Sequence, residues 1–498
     1  MAIVSESAGH SDQAARESEL LARIPSRLFV GGEWADSSNG ATLDVFDPAT
    51  GSLLKRISDA QPDDGTAALD AAVAAADGWA ATAPRVRGEL LRRAFDLLIE
   101  RSADFALLMT LEMGKPLAES HSEVSYGAEF LRWFSEEAVR VAGRYGSNPE
   151  GTGTMVISQR PVGPCFLITP WNFPLAMATR KIAPALAAGC TVVIKPPELT
   201  PLTTLMFAAL LDEVGLPAGV VNVLTTSTSS AVSAPIIADP RLRKLSFTGS
   251  TAVGRTLMKQ ATENVLRTSM ELGGNAPFIV FADADLEAAV DGAIAAKFRN
   301  TGQACTAANR FIVHSSIAGT FSERLAVRVS AMIVGRGTEP DVTIGPLIDD
   351  KAVEKADSLV RAAISDGAGL VIGGIRPRRT GSFYAPTVLT GVPRTSTILQ
   401  EEIFGPVVTI VEFQTEDEAV DLANDTEYGL ASYVFTRDLA RGQRMIDRLD
   451  TGMMGLNTGA ISNAAAPFGG IKQSGLGREG GLEGIQEYLS TKYTLIPR

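Results

Sequence analysis

The chain has 498 residues, 45% apolar and 20% charged, proportions of a soluble globular protein with a length suited to about three domains. Its 45 basic and 57 acidic residues leave a net charge of −12, which argues against a general nucleic-acid or anionic-membrane partner but permits a local basic pocket for a small anion. Cys165, Cys190 and Cys305 show no C-x-x-C spacing, and His10, His121 and His314 are scattered, so neither a disulfide framework nor a metal centre is expected.

The first 25 residues carry Glu6, Asp12, Glu17 and Glu19 and no apolar core, unlike a secretory signal or a transit peptide. The longest apolar run, Ile182 to Ile194, is broken by Pro184 and Gly189 and is too short to cross a bilayer. The expectation is a cytoplasmic protein. Residues 26–60 read as short strands and turns, with Gly31-Gly32 and Asp47-Pro48 at the turns. From about 63 to 145 the pattern is helical: alanine-rich, then Leu90, Leu91, Ala94, Leu97 and Leu98 at helical spacing. Residues 147–160 are polar with Gly151 and Gly153, then β-like, an excursion from the main body.

Beyond Arg160 strands and helices alternate. Strands are expected at Cys165–Thr169, Thr191–Lys195, Val220–Leu224, Leu242–Phe247 and Val265–Met270, with helices near 176–188, 202–214, 229–238 and 252–262. Such alternation implies a parallel sheet covered on both faces, with ligands beyond the carboxyl ends of its strands. The unusual residues fall there: Pro170-Trp171-Asn172, Lys195-Pro196-Pro197-Glu198 and Thr248-Gly249-Ser250. A second alternating block runs from about 272 to 470. Within it, strand Pro277–Phe281 and a helix capped by Asp283 or Asp285 separate Glu271 from Cys305, which lies on the loop beyond the helix. That strand and helix can fold back to bring carboxylate and thiol together. The tail holds a late strand around Tyr488–Tyr493 that the pattern assigns to neither sheet.

Gly475-Leu476-Gly477-Arg478-Glu479-Gly480 spells a dinucleotide fingerprint, but only 18 residues follow, too few for a βαβ unit; a turn is expected. Gly249 to Thr256 resembles a phosphate loop with Arg255 in place of the lysine. A strand before it and a helix after it suit a pyrophosphate seat, an ordinary turn being the alternative. Cys305 sits in a polar loop, Asn300 to Ala304, that favours an accessible thiol. At an ordinary pKa of ~8.5 little of it is thiolate at neutral pH, and Glu271 is a candidate base, directly or through water. His314 follows Phe311-Ile312-Val313 and reads as structural.

Trp171-Asn172, Lys195-Pro196, Phe247-Thr248-Gly249-Ser250, Glu271-Leu272-Gly273-Gly274, Gly302-Gln303-Ala304-Cys305 and Glu402-Ile403-Phe404-Gly405-Pro406 occur in order. Together they resemble the aldehyde dehydrogenase superfamily from about residue 27 to 495. The resemblance implies an α/β protein with a Rossmann-like cofactor domain (1–145 and 161–271), an α/β catalytic domain (272–470) and a small β oligomerisation element (146–160 and 481–498) building a dimer or tetramer. It implies Cys305 as nucleophile, Asn172 and the Cys305 backbone N–H as oxyanion donors, and Glu271 as the base for water. It places Thr169, Pro170, Trp171, Gly249, Ser250, Leu272 and Phe404 at an NAD or NADP site, with Lys195 and Glu402 on ribose hydroxyls.

Phe298 to Gln303, Thr179-Arg180-Lys181, Ile461-Ser462-Asn463 and Pro467 to Gly470 resemble succinate-semialdehyde dehydrogenases more narrowly. In that family the residues matching Arg180, Arg299 and Ser462 grip the distal carboxylate of the substrate, a task that suits the planar guanidinium. Glutarate semialdehyde, one methylene longer, stays open. So does a cofactor-independent acyl-hydrolase using Cys305 and Glu271. Two positions depart from relatives: Ala307 stands where some carry a second, redox-switching cysteine, and Glu198 would bond a ribose 2′-hydroxyl and repel a 2′-phosphate, favouring NAD over NADP.

Overall fold

The computed structural model describes residues 2–498, with side chains from residue 12 onward, so the side chain of His10 lies outside the described residues. Three sheets organise the chain. The first has eight strands in the order Glu33–Ala35, Leu28–Val30, Val221–Val223, Val192–Lys195, Cys165–Ile168, Lys244–Thr248, Arg267–Glu271 and Gly475–Leu476. From Val221–Val223 to Arg267–Glu271 the strands are parallel. The strands from Val221–Val223 through Lys244–Thr248 are wholly buried, as mainly apolar strands of a parallel sheet covered on both faces are, and polar members such as Asn222 and Lys244 are hydrogen-bonded. The chain builds outward from Cys165–Ile168 to Val221–Val223, then returns to lay Lys244–Thr248 on its other side. That reversal is a topological switch point, and Pro170-Trp171-Asn172 and Gly249-Ser250 leave the two strands beside it.

The edges of this sheet are antiparallel, which strand–helix alternation does not reveal. Gly475 and Leu476 pair with Glu271 and Met270, so the glycine stretch expected to be a turn is an edge strand at its start and a turn only afterwards. Gly475 lies so close to the carbonyl of Met270 that a Cβ would collide with it.

The second sheet runs Gly369–Ile372, Thr387–Thr390, Val407–Phe413, Ala308–His314, Ala276–Val280, Ala431–Phe435 and Met453–Leu456, parallel except at its first strand. Phe278 centres its core, with the Phe311 and Phe435 rings each 4.9 Å away. The Leu286–Phe298 helix is capped by Asp285, which accepts from the Ala288 N–H, whereas Asp283 accepts from Thr436, Arg437 and Asp438. His314 caps the Ser315–Ser330 helix, a structural role.

The late strand finds its partner in a third sheet. Leu489–Pro497 pairs antiparallel with Gly153–Pro161, which also pairs with Arg144–Ser147. This sheet exposes Tyr145, Tyr493, Leu495 and Ile496. No helix of the described residues is long and apolar enough to cross a membrane.

Phe278→Ala is expected to cost about 3–5 kcal/mol, because a fully buried ring stacked against two others leaves a cavity. Thermal or denaturant unfolding measures it; an unchanged midpoint would contradict this packing.

Candidate active site

Strand Arg267–Glu271 ends the parallel run of the first sheet, and the chain passes through Leu272–Asn275 directly into Ala276–Val280 of the second. Cys305 precedes Ala308–His314, the neighbour of Ala276–Val280. The two loops therefore meet. Gly274 lies against the carbonyl oxygen of Cys305, where a Cβ would collide.

The approach to Cys305 is a strained turn. Asn300, Thr301 and Gly302 are left-handed in succession, with φ of 54°, 57° and 76°. Side chains fix it: the Asn300 N–H donates to Glu119 Oε2 at 2.6 Å, and Asn300 Nδ2 donates to the carbonyls of Asn172 (2.8 Å) and Gln303 (3.1 Å). Asn172 Nδ2 donates to the Gln303 carbonyl at 3.0 Å. An amide carries two N–H donors, so one stays available, and Asn172 lines the same cleft as Cys305.

Cys305 is half-buried, and burial, with the negative charges of Glu402 and Glu271, pushes its thiol up to about 12 against the pull of Arg180 and Arg299. Glu271 is buried, and neither carboxylate oxygen has a hydrogen-bond partner among the described residues. Burial first, then repulsion from Glu479, raises its pKa well above the usual carboxylate range. Burial thus favours the neutral form of both the Cys305 thiol and the Glu271 carboxyl.

A cleft of about 320 Å³ reaches Cys305 and is lined by Pro170, Trp171, Asn172, Gly249, Ser250, Leu272, Glu402 and Phe404, among others. Ser250 caps the Thr251–Ala261 helix, whose N–H groups face the cleft end. Glu402 accepts from the Gly274 N–H at 3.1 Å, and burial raises its pKa to about 7. Phe404, at φ 55°, sets its ring edge-on to Trp171. The Thr169 and Thr248 hydroxyls are buried at the strand ends without partners among the described residues. Beside the cleft, not in its wall, Lys195 is buried and donates to Ser229 Oγ at 2.9 Å, while exposed Glu198 stands 3.8 Å from its Nζ. The Thr248 hydroxyl, the Glu402 carboxylate and the Ser250-capped helix start in the cleft wall, with the Thr169 hydroxyl and the Lys195 ammonium near it, fit a nicotinamide dinucleotide.

Arg180, Arg299 and Ser462 lie outside that cleft's wall. Arg180 is buried, pairs with Glu479 at 2.6 Å, sits 4.0 Å from the Phe468 ring centre and donates to the Tyr126 hydroxyl at 3.4 Å. Burial opposes its charge, but Glu479, together with Tyr126, Glu271 and Cys305, more than offsets burial and raises its pKa. Tyr126 and Ser462 line one cavity of about 440 Å³, so Tyr126 links Arg180 to Ser462. Arg299 is exposed, with its guanidinium 5.4 Å from the Phe173 ring centre and no carboxylate paired with it among the described residues.

The sequence pattern of the aldehyde dehydrogenase family matches residues 34–494. The chain belongs to that family. It is 59% identical to a succinate-semialdehyde dehydrogenase of Paenarthrobacter nicotinovorans, over 89% of this chain and 98% of the relative. It is 46% identical to a glutarate-semialdehyde dehydrogenase of Pseudomonas aeruginosa, over 94% and 97%. A solved NADP-dependent enzyme of E. coli superposes with a TM-score of 0.95 at 46% identity, covering 97% of this chain and 99% of its own. An aldehyde dehydrogenase is an NAD(P)-dependent oxidoreductase, and this membership leaves the acyl-hydrolase alternative without support.

Reading the sequence missed Glu479, the carboxylate that holds both Arg180 and Lys181, the latter at 2.5 Å. A signal existed. Two adjacent cations inside the wholly buried, otherwise apolar Ala176–Ala188 helix demand a carboxylate partner. Lys115, in the link after the Ser102–Met113 helix, and Glu119 and Glu123, on the Leu117–Glu137 helix, were missed as well, because that stretch carries no motif.

With no ligand bound, alkylation of Cys305 by iodoacetamide is expected to keep accelerating past pH 10, since only the thiolate reacts and its pKa is near 12. A plateau at the ordinary value of ~8.5 would contradict the burial argument.

Proposed function

We propose that this aldehyde dehydrogenase oxidises succinate semialdehyde to succinate with NAD(P). The observation that carries the substrate is the 59% identity to a succinate-semialdehyde dehydrogenase; it is supported by two cations, buried Arg180 and exposed Arg299, whose charges favour the Cys305 thiolate. An aldehyde whose far end is a carboxylate fits between them and the nucleophile, with Ser462 as a further donor.

The residues support the following sequence. The Cys305 thiol passes its proton to solvent water, and the sulfur bonds to the aldehyde carbon as the C=O π bond opens onto oxygen. The free N–H of the Asn172 amide and the Cys305 backbone N–H hold the oxygen that becomes negative. The tetrahedral carbon then carries a hydride it can release, and the nicotinamide, when bound, supplies its acceptor. Collapse leaves a succinyl thioester on Cys305. Glu271, once ionised, takes a proton from water; that water attacks the thioester carbon, the C–S bond breaks, and succinate leaves. Its raised pKa makes Glu271 a stronger base than an ordinary carboxylate. Activity therefore falls as pH drops through that pKa, because the protonated acid cannot accept. Lys195 and Glu402 would hold ribose hydroxyls, and Trp171, Gly249, Ser250, Leu272 and Phe404 would shape the dinucleotide seat.

Three finer assignments belong to the same reading. Residues 1–145 and 161–271, with most of the eight-stranded sheet, are the cofactor domain, residues 272–470 the catalytic domain, and residues 146–160 and 481–498, with most of the three-stranded sheet, the oligomerisation element. The exposed Tyr145, Tyr493, Leu495 and Ile496 are what a second copy would cover, giving a dimer or tetramer. Glu198 beside Lys195 favours NAD over NADP by repelling a 2′-phosphate.

With succinate semialdehyde, NAD reduction followed by absorbance is expected in the native enzyme and absent in Cys305→Ala. Arg299→Gln is expected to raise KM for the semialdehyde about 10–100-fold while sparing an unsubstituted alkanal, as loss of a charged hydrogen bond implies. Equal effects on both aldehydes would remove Arg299 from the carboxylate site. Glu198→Ser is expected to shift preference toward NADP; an unchanged NADP/NAD ratio of kcat/KM would refute that role.

A further inference from the structure

The chemistry above leaves one buried ion pair unused. Lys115 and Glu123 are each 1% exposed, with Nζ and Oε2 2.5 Å apart. Burying two charges is costly unless each finds further partners, and here each does. Lys115 Nζ donates to the backbone carbonyl of Asn172 at 2.8 Å and lies 4.2 Å from the centre of the Phe173 ring. That same ring carries Arg299 at 5.4 Å. Glu123 Oε1 accepts from the backbone N–H groups of Leu175 (3.0 Å) and Ala176 (3.1 Å), at the start of the helix that carries Arg180. The lysine itself is pinned from the other side: Gly337 packs against its carbonyl and Gly345 against that of Gly114, both too close for a Cβ.

We propose that Lys115 is a positioning residue that, with Glu123, holds the oxyanion donor Asn172 and the two carboxylate-binding arginines in register. One ammonium fixes the peptide of Asn172 and one face of the platform under Arg299. Through Glu123 it fixes the helix start that sets Arg180. The distance between the reacting carbon and the carboxylate grip is thus set from a single buried charge pair. This rests on the roles given above to Asn172, Arg180 and Arg299.

Lys115→Met alone leaves Glu123 buried without its cation and risks misfolding. The informative variant is Lys115→Met/Glu123→Gln, which removes both charges while the amide oxygen of the introduced glutamine still accepts from Leu175 and Ala176. Its folding is checked by thermal unfolding, and its kinetics are measured with succinate semialdehyde and with butanal, each with and without Asn172→Ala. Asn172→Ala alone is expected to lower kcat about 10²–10³-fold, the usual loss of an oxyanion donor. The charge-free double variant, folded, is expected to lose at least about tenfold in kcat with both aldehydes and to raise KM for the semialdehyde alone. Added to Asn172→Ala, it is expected to cost little more, because Lys115 acts through Asn172. Multiplying losses, or native kcat in the folded double variant, would overturn the proposal while leaving Asn172's role intact. If Asn172→Ala itself keeps near-native kcat, the reading of Asn172 fails and the proposed role of Lys115 falls with it.

Discussion

The site depends on one steric contact, the absence of a side chain at Gly274 where it presses on the Cys305 carbonyl. Glu271 belongs to the last parallel strand of one sheet and Cys305 to a loop of the other, so they share a site only if the two loops touch. Three neighbouring features make that contact possible. Gly273 leaves room for Glu402, Gly302 for the carbonyl of Gly405, and the left-handed turn at Asn300–Gly302 aims the nucleophile loop inward. The strain of that turn is held by hydrogen bonds from Asn300 and Gln303, whose side-chain oxygen also accepts from Ile348.

Electrostatics follow from this closeness. Glu271 is buried and Cys305 half-buried at the foot of the cleft, and burial favours the neutral form of both groups. Arg180 would be costly in so buried a place without Glu479, and Glu479 would be costly without Arg180 and Lys181. The glycine-rich tail delivers Glu479, having first added an edge strand beside Glu271. One segment thus supplies a backbone partner to the strand of the base and a counter-charge to the arginine helix. Glu479 also adds to burial in raising the pKa of Glu271, since it repels the ionised form.

Much of this was legible in residue order. The alternation of short, mainly apolar runs with helical segments located every strand of the first parallel run to within about two residues, because strands covered on both faces are mostly apolar between their turns. The cleft-lining residues sit where strand ends at a switch point place them, and the Asp285 cap and the loop position of Cys305 followed from local chemistry. What stayed hidden is non-local. Edge strands such as Gly475–Leu476 owe their conformation to a partner two hundred residues away, and Leu489–Pro497 to one more than three hundred away. Lys115, Glu123 and Glu479 are charged residues that look solvated until the fold buries them. Lys195 and Glu198 behave differently again: spacing put them side by side, but only the packing shows one buried and the other exposed.

The central claim is that Cys305 carries the acyl group and Glu271 releases it. Glu271→Gln, incubated with succinate semialdehyde and NAD and then digested for mass spectrometry, tests it most directly. A succinyl thioester on the Cys305 peptide, formed with one equivalent of NADH and hydrolysed slowly, is the expected result. NADH formed at the native steady rate with Cys305 unmodified, or an acyl group found on another residue, would contradict it.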